Sequence, residues 1–401
     1  MSYGFPSFQR LFLVIVAGFL LFTASGCGKG KSPDQNREKA LAKPSNEIVI
    51  GVVWPFANQN DQFREGLHLA LEQVNAAGVL GGKKIRLVER DDNNSVITAM
   101  AIAQELAEDL TLSAVIGHRS SAVTVPVSQI YDNAGLLLLA PASTSPNLTK
   151  RNSSFIFRNI PSDEQIGARL AQYAREAGYH RVAIYYSGDE YGRGLANAFE
   201  EQANLAGLKI VDRRSDFKGR ADVQRMADKW ELLDVEVVLL ATNAREGIRF
   251  IRELRASGFD KPVIGGDALD NDQFVSSGDF VEGTVVVSIY HPDVIHHSDT
   301  DSSLNTQFRQ QFREKYGTEP GKWAAQAYDS LRLLADMIER AQSRNPKEIA
   351  KQLASGHPWE GVVGRRSFDA NGNVEGMELV EKQVRGGRFE IIGHSLLDLG
   401  A

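Results

Sequence analysis

The feature that most constrains the fold is a repeated alternation between short apolar segments and longer segments with helical periodicity. Residues 48–54 form a β-branched apolar run, and residues 63–77 place apolar side chains on one helix face before Gly78. Strands that alternate with helices form parallel sheets covered by helices on both faces. The alternation continues to about residue 139 and starts again near residue 164. Two series of similar length predict an α/β protein with two doubly wound lobes, each built on a parallel sheet.

The amino-terminal segment has the composition of an export signal. Arg10 is followed by twelve uncharged residues, 11–22, fewer than the roughly 20 that a membrane-spanning helix needs. Small residues then precede Cys27, which is the only cysteine in the chain. This segment resembles the lipobox of bacterial lipoproteins, although Ala24 stands where leucine is most common. The resemblance implies a signal peptide over 1–26 and lipid on Cys27. An ordinary signal followed by an unrelated cysteine is the alternative.

The segment between Cys27 and the first strand is polar and poor in branched apolar residues. Such a composition does not support a packed core, so residues 27–46 are predicted to be the lipidated cysteine and a flexible tether. The folded part begins at residue 47.

Composition and motifs exclude several functional classes. The formal net charge of −6 argues against a nucleic-acid partner, and a single cysteine cannot form an internal disulfide. The sequence contains no nucleophile elbow, zinc-binding histidine pair or glycine-rich dinucleotide loop. We therefore expect a protein that binds its ligand without catalysis, with no cofactor and no metal.

Several short motifs occur in an order and spacing that are typical of one family. They are Val115-Ile116-Gly117-His118 with Ser120-Ser121, Ala140-Pro141-Ala142-Ser143-Thr144, Asp189-Glu190-Tyr191-Gly192 and Ser367-Phe368-Asp369-Ala370-Asn371-Gly372. Together they resemble the leucine/isoleucine/valine-binding proteins, a family of type I periplasmic binding proteins, from residue 48 to about residue 392. The resemblance implies two lobes joined by three crossings, with lobe 1 at 47–161 plus 289–366 and lobe 2 at 162–288 plus 367–401. It also implies a cleft that closes on its ligand.

The residues after the third predicted strand suit an anion site. Gly117 to Ser121 form a strand–turn–helix junction, where free amide groups and the helix dipole attract negative charge. Either Ser120 or Ser121 is suited to be the N-cap. The resemblance implies that Ser121, Ala142 and Thr144 hold the carboxylate and ammonium of an amino acid, although a ligand-free cap and a simple loop closure are alternatives for Ser121 and Thr144.

Two further positions match ligand positions of the family. Asp267 follows a predicted strand, and the resemblance implies that its carboxylate binds the ligand ammonium; a surface loop acid is the alternative. Tyr191 would lay its ring over an aliphatic group, unless it is an ordinary packed tyrosine.

Three departures indicate a ligand more polar than leucine. The loop after Pro55, Phe56-Ala57-Asn58-Gln59, has no Trp or Tyr where the family often stacks one. Asn243 stands where relatives often have tyrosine, and Arg119 stands where a small or apolar residue is common. Arg119 could pair with a second ligand carboxylate, or it could point to solvent.

The resemblance implies an exported, lipid-anchored, monomeric substrate-binding protein that delivers a small polar solute to the permease of an ABC transporter. A branched-chain-type amino acid is the expected ligand, and amides or other small polar solutes are alternatives. A ligand-sensing lipoprotein that signals to a membrane receptor is the second functional class.

Overall fold

The computed structural model of the chain describes residue 1 and residues 32–57, 61–294 and 301–396. Residues 2–26 of the predicted signal peptide, Cys27 and residues 397–401 of the predicted lobe 2 lie outside the described residues. The helices are α1 (Pro33–Leu41), α2 (Phe63–Ala77), α3 (Val96–Glu108), α4 (Ser121–Asn133), α5 (Asp163–Glu176), α6 (Glu190–Leu205), α7 (Arg220–Leu232), α8 (Ala244–Ala256), α9 (Asp272–Val275), α10 (Asp301–Tyr316), α11 (Lys322–Ala341) and α12 (Pro346–Leu353).

The strands form two large sheets and one small one. The strands are β1 (Glu47–Val53), β2 (Lys84–Arg90), β3 (Leu112–Gly117), β4 (Leu137–Ala140), β5 (Ile156–Arg158), β6 (Arg181–Tyr186), β7 (Lys209–Ser215), β8 (Val237–Ala241), β9 (Val263–Gly265), β10 (Val285–Ser288), β11 (Trp359–Gly361), β12 (Gly364–Phe368), β13 (Val374–Glu375), β14 (Glu378–Arg385) and β15 (Arg388–Leu396). The first sheet has the order β2-β1-β3-β4-β5 and is parallel throughout. The second has the order β15-β14-β10-β9-β8-β6-β7, with β14 and β15 antiparallel at one edge.

Both faces of each large sheet are buried, as the apolar strands predict. In β1, Ile48, Ile50 and Val52 belong to the apolar cluster that includes side chains of α2 and α11. The intervening Val49 and Val53 pack with side chains of α3 and α4 on the other face. Successive strand side chains point to opposite faces, so a run with no polar interruption requires helices on both sides. This confirms the predicted α/β class.

The chain passes between the two large sheets three times. It leaves the first sheet between β5 and α5, returns between β10 and α10, and crosses again between β12 and β14. The small sheet β11-β12-β13 lies at the third crossing, where the ring of Phe368 packs edge-on against Phe157 of β5. The carboxyl ends of the parallel strands in each sheet meet at one edge, and polar loops there can share a site.

The prediction of a flexible tether is wrong for residues 33–41, which form α1. Pro33 begins this helix, where its missing N–H costs nothing, and Asp34 suits the positive end of the dipole. Only Arg37 and Leu41 of the helix are buried. The helix has no apolar face that its sequence could reveal, because polar contacts hold it in place.

Arg37 is the main polar contact of α1 with lobe 1. Its guanidinium is 1% exposed and donates to the carbonyls of Ala107 and Asp109, both at 2.6 Å, at the end of α3. It also donates to the carbonyls of Leu112 and Ala134, the second of which follows α4. The last carbonyls of a helix have no partner within the helix, so one arginine satisfies groups from two helix ends.

None of the helices in the described part of the chain is long and apolar enough to cross a membrane.

We expect Arg37→Ala to lower the free energy of unfolding by at least about 2 kcal/mol, because buried carbonyls lose charge-assisted hydrogen bonds. Urea unfolding followed by circular dichroism measures the change. Lys39→Ala is the control, since Lys39 is exposed on the same helix and surface substitutions usually stay within about 0.5 kcal/mol. Equal stability of the two variants would contradict the assignment of α1 to lobe 1.

Candidate ligand-binding site

The loop after β3 brings the backbone close to a neighbouring strand and then starts α4. Gly117 has φ +154°, and a Cβ there would lie 2.5 Å from the carbonyl oxygen of Val53, so the position requires glycine. His118 is buried behind the loop, with Nδ1 2.6 Å from Asp92 Oδ2 and Nε2 3.1 Å from Tyr131 Oη. These contacts fix the loop, and they give His118 a structural role.

The start of α4 carries two serines with buried hydroxyls and different surroundings. Ser120 is the N-cap by backbone position, but its hydroxyl does not cap the helix and is buried without a hydrogen-bond partner in the described structure. The Ser121 hydroxyl accepts from Ser143 Oγ at 3.3 Å and from the Ser145 amide at 3.4 Å. Ser121 therefore joins the α4 terminus to the loop after β4.

Hydrogen bonds to backbone carbonyls hold the loop after β4 in place, and they do not involve the Thr144 hydroxyl. The Thr144 carbonyl accepts from the Asp163 amide at 2.8 Å and from Arg158 Nη1 at 3.1 Å. Thr144 Oγ1 is buried and has no hydrogen-bond partner among the residues that the structure describes. Ala142, two residues earlier, is 8% exposed and supplies apolar surface beside it.

Asp163, at the first position of α5, faces the same region from lobe 2. Its carboxyl is fully buried, and within the described chain neither oxygen has a hydrogen bond of regular geometry, although the Thr144 hydroxyl lies beside it. Burial raises the pKa of Asp163 to about 8; the nearby Thr144 hydroxyl and Arg158 guanidinium offset part of this rise, whereas Asp267 adds to it. A Cβ on Gly194 of α6 would lie 2.3 Å from Asp163 Oδ2, so that glycine makes room for the carboxyl.

Asp267 and Tyr191 meet in the second lobe, as the resemblance implies. Asp267 opens a short 3₁₀ helix after β9 and is 3% exposed. Tyr191 Oη donates to Asp267 Oδ1 at 3.3 Å and accepts from the Ala268 amide at 3.4 Å. Burial raises the pKa of Asp267, and Lys322 and the Tyr191 hydroxyl oppose the rise.

Lys322 reaches this acid from the first lobe. It is the first residue of α11, its side chain is 3% exposed, and its Nζ donates to the Asp267 carbonyl at 2.5 Å. The same Nζ lies 3.8 Å from Asp267 Oδ2 and 4.0 Å from Asp270 Oδ2. The lobes also meet where Ser145 Oγ and Asn147 Nδ2 donate to Glu190 Oε1 at 2.7 and 2.6 Å. The cleft is therefore closed.

Arg119 pairs inside the protein, which neither sequence alternative anticipated. Its Nε donates to Asp61 Oδ2 at 3.2 Å, and its guanidinium lies 5.7 Å from the centre of a Trp323 ring. Asp61 also accepts from Trp54 Nε1 at 3.2 Å. The Arg119 side chain is 22% exposed and already neutralised.

Asn243 is not brought to the other predicted residues. It is exposed, and its Oδ1 accepts from the Glu246 amide at 3.1 Å as the N-cap of α8. Asparagine is a common N-cap residue, so helix capping explains why this position holds Asn243 and not tyrosine.

We call seven residues the cleft cluster: Ser120, Ser121, Thr144, Asp163, Tyr191, Asp267 and Lys322. Sequence reasoning missed Asp163 and Lys322. Asp163 follows Ser162 in a capping box, and acids are common in a first helical turn, so nothing marked its carboxyl as buried. Lys322 did carry a signal, because a lysine in the first turn opposes the helix dipole.

The cleft cluster has the chemistry of a site for a zwitterion. Hydroxyls and a helix N-terminus on the lobe 1 side suit a carboxylate. Two buried carboxyls, a free threonine hydroxyl and a tyrosine suit an ammonium group. No side chain in the cluster is paired as nucleophile and base.

Comparison with known proteins identifies the family of the chain. The profile of the periplasmic binding protein family matches residues 47–383. An amino acid binding protein of Pseudomonas aeruginosa is 30% identical over 337 residues, which cover 82% of this chain and 88% of that protein. Leu/Ile/Val-binding protein homolog 1 of Brucella abortus is 30% identical over 331 residues, covering 81% and 86%.

A solved structure shares the fold along its whole length. The ABC transporter substrate-binding protein of Desulfitobacterium hafniense in complex with Leu is 40% identical, covers 86% of this chain and 100% of its own, and superposes with a TM-score of 0.79. These relatives are substrate-binding transport proteins, which confirms the prediction that the chain is not an enzyme. Its sequence profile, its two-lobed fold and its relatives place the chain in the periplasmic binding protein family.

Proposed function

We propose that this chain is the solute-binding component of an ABC transporter and that it closes on an α-amino acid with an uncharged, branched-chain-type side chain. Ser121 and the amino terminus of α4 bind the carboxylate, with the Ser120 hydroxyl beside them. Thr144 Oγ1, Asp163 and Asp267 bind the ammonium group, and Tyr191 covers it. Closure around the ligand changes the surface that the two lobes present to the permease, so that the permease can distinguish the loaded protein.

One observation carries this proposal: among the described residues, four of the eleven buried side-chain atoms without hydrogen-bond partners lie where the ligand would lie. Ser120 Oγ, Thr144 Oγ1 and both Asp163 oxygens lack hydrogen bonds in the part of the chain that the structure describes. Leaving such groups buried and unpaired costs about 1–3 kcal/mol each. A zwitterionic ligand would supply donors for the carboxyl and an acceptor for the hydroxyl.

An uncharged ligand side chain follows from how the cations of the cleft are paired. Arg119 is neutralised by Asp61, and Lys322 lies at Asp267, so neither is free for a second ligand carboxylate. Apolar surface is supplied by Trp323, whose ring centre is 4.3 Å from Lys322 Nζ. Leucine, named as the ligand of the Desulfitobacterium relative, has this chemistry.

Membership of the family implies an exported, periplasmic protein. We further propose attachment to the membrane through lipid on Cys27 and a monomeric state. The second candidate is a ligand-sensing lipoprotein of the same fold. A neighbouring gene for a permease favours transport, whereas a neighbouring receptor kinase favours sensing.

Thermal melting of the purified protein with a panel of α-amino acids, amides and carboxylates tests the ligand class. At 100 times its Kd a ligand adds about 2.7 kcal/mol to the free energy of unfolding, so leucine, isoleucine or valine should raise the melting temperature. The matched carboxylate 4-methylpentanoate should not, because it lacks the ammonium group.

The Asp267→Asn variant should lose the shift in melting temperature, and Asp272→Asn should keep it, since Asp272 is exposed. A shift with 4-methylpentanoate equal to that with leucine would contradict the ammonium site.

We expect leucine affinity to rise as the pH increases from about 6 to about 8. The pKa of Asp163 is about 8 in the closed, ligand-free protein, and a ligand ammonium stabilises the carboxylate, so binding releases a proton below that pH. Calorimetry at several pH values measures this trend. Asp163→Asn should weaken binding at least about tenfold and remove the pH dependence. A flat profile in the unmodified protein would contradict the role of Asp163.

The same substitution should stabilise the ligand-free protein. The folded-state pKa of Asp163 lies above its unfolded value, so ionisation opposes folding and stability falls as pH rises from about 4 towards 8. Asp163→Asn removes that charge and should raise the free energy of unfolding at pH 8 by about 1 kcal/mol or more.

Cys27→Ser should move the protein from the membrane fraction to the soluble fraction of the producing cell, because acyl chains contribute about 0.8 kcal/mol per buried CH₂. Immunoblotting of the two fractions measures the distribution. Protein that remains wholly in the membrane fraction would contradict lipidation at Cys27 and leave the ligand assignment untouched.

A further inference from the structure

Lys322 is a cation in an unusual place. Lysine is rarely buried unless it is paired, and the first turn of a helix disfavours positive charge. Lys322 nevertheless opens α11 with its side chain 3% exposed. Its side chain extends from lobe 1 across the cleft, and its ammonium contacts the carbonyl and carboxylate of Asp267 in lobe 2. Because burial and the helix dipole both disfavour a positive charge here, we infer that the charge of Lys322 has a function in the cleft.

The acids around Lys322 show where that charge is used. Asp270 has its own cation within lobe 2, because Lys382 Nζ lies 2.8 Å from Asp270 Oδ2 and the Ser288 hydroxyl donates to the same carboxylate. Lys322 lies 4.0 Å from that oxygen, farther than Lys382. Arg119 also faces the region, and it is paired with Asp61. The charge of Lys322 is therefore available to Asp267.

The remaining carboxyl of the cleft cluster is Asp163. Arg158 is a neighbouring cation, but its Nη1 donates to the carbonyls of Thr144 and Ser145 and its Nη2 donates to Asn373. Among the described residues, Asp163 alone of these acids has no donor on its oxygens. The cleft thus offers one carboxyl without a partner and a second that already faces a protein ammonium.

We propose that Lys322 makes the cleft a one-ammonium site: the two carboxyls, Asp163 and Asp267, share a single ligand ammonium, and Lys322 supplies the second positive charge from lobe 1. Lysine, ornithine and linear diamines are thereby excluded, whichever neutral amino acid is bound. This inference rests on the proposed binding of an α-amino acid. Like charges placed together in a closed site are strongly disfavoured, so the exclusion acts through repulsion as well as through occupied space.

A simple closing contact is the alternative role for Lys322, and it makes a different prediction. A residue that only holds the lobes together changes the affinity of every ligand by the same factor. A residue that sets the accepted charge changes the ratio of affinities between ligands of different charge. Glu190 provides the matched control, because it accepts hydrogen bonds from Ser145 and Asn147 across the same cleft and lies outside the cleft cluster.

Norleucine and lysine test the ratio, because they share a carbon chain and differ by the terminal ammonium. Calorimetry or melting shifts give both affinities for the unmodified protein, Lys322→Met, Lys322→Gln, Lys322→Arg and Glu190→Gln. We expect the unmodified protein to prefer norleucine by about 100-fold or more, and both neutral variants to reduce that preference at least about tenfold. Lys322→Arg should keep it, and Glu190→Gln should change both affinities by one factor.

Two results would overturn the inference, and they are distinguishable. If the unmodified protein binds norleucine and the preference is unchanged in whichever neutral variant folds, Lys322 does not set the accepted charge, while the proposed function stands. If the unmodified protein binds neither norleucine nor leucine, both the proposed function and the inference fail. Folding is checked by the melting temperature of each variant without ligand.

Discussion

The binding site depends on one buried arginine, Arg158. Its Nη1 donates to the carbonyls of Thr144 and Ser145, and its Nη2 donates to Asn373 next to the third crossing. The guanidinium is 2% exposed, and burial lowers its pKa to about 10, which leaves it charged at neutral pH. By occupying carbonyls it holds the loop after β4 without using the Thr144 hydroxyl. The same cation stands beside Asp163, so it also limits the cost of burying that carboxyl.

The cleft cluster lowers the stability of the ligand-free protein and favours ligand binding. A fully buried carboxyl without donors and two unpaired hydroxyls are unfavourable in the closed, ligand-free protein. Each becomes favourable when a ligand supplies the missing partner, which is how binding energy can be directed to closure. Two glycines leave space in the same region. A Cβ on Gly194 would fill space next to Asp163, and a Cβ on Gly266 would fill space next to Tyr191.

In the proposed site, selectivity follows from cations that the protein supplies itself. Arg119 and Lys322 both face the site from lobe 1, and each is matched by an acid, Asp61 or Asp267. A second ligand charge of either sign therefore meets a group that is already paired. Two of the three grounds for expecting a more polar ligand have local explanations, because Arg119 is neutralised by Asp61 and Asn243 caps a helix.

The sequence by itself determined the two-lobed α/β architecture, because uninterrupted apolar strands alternating with helices can only be buried between two helical layers. Motif resemblance also predicted that Ser121, Thr144, Tyr191 and Asp267 belong to one site, and in the structure Tyr191 contacts Asp267 while Ser121 contacts the loop that carries Thr144. Only the tertiary structure decided the burial and contacts of Asp163, Lys322 and α1. Whether a carboxyl at a helix start or a lysine before an apolar helix is buried depends on the other lobe packing over it. Likewise, α1 is held by carbonyls at the ends of α3 and α4, and no local pattern records which helix ends will meet.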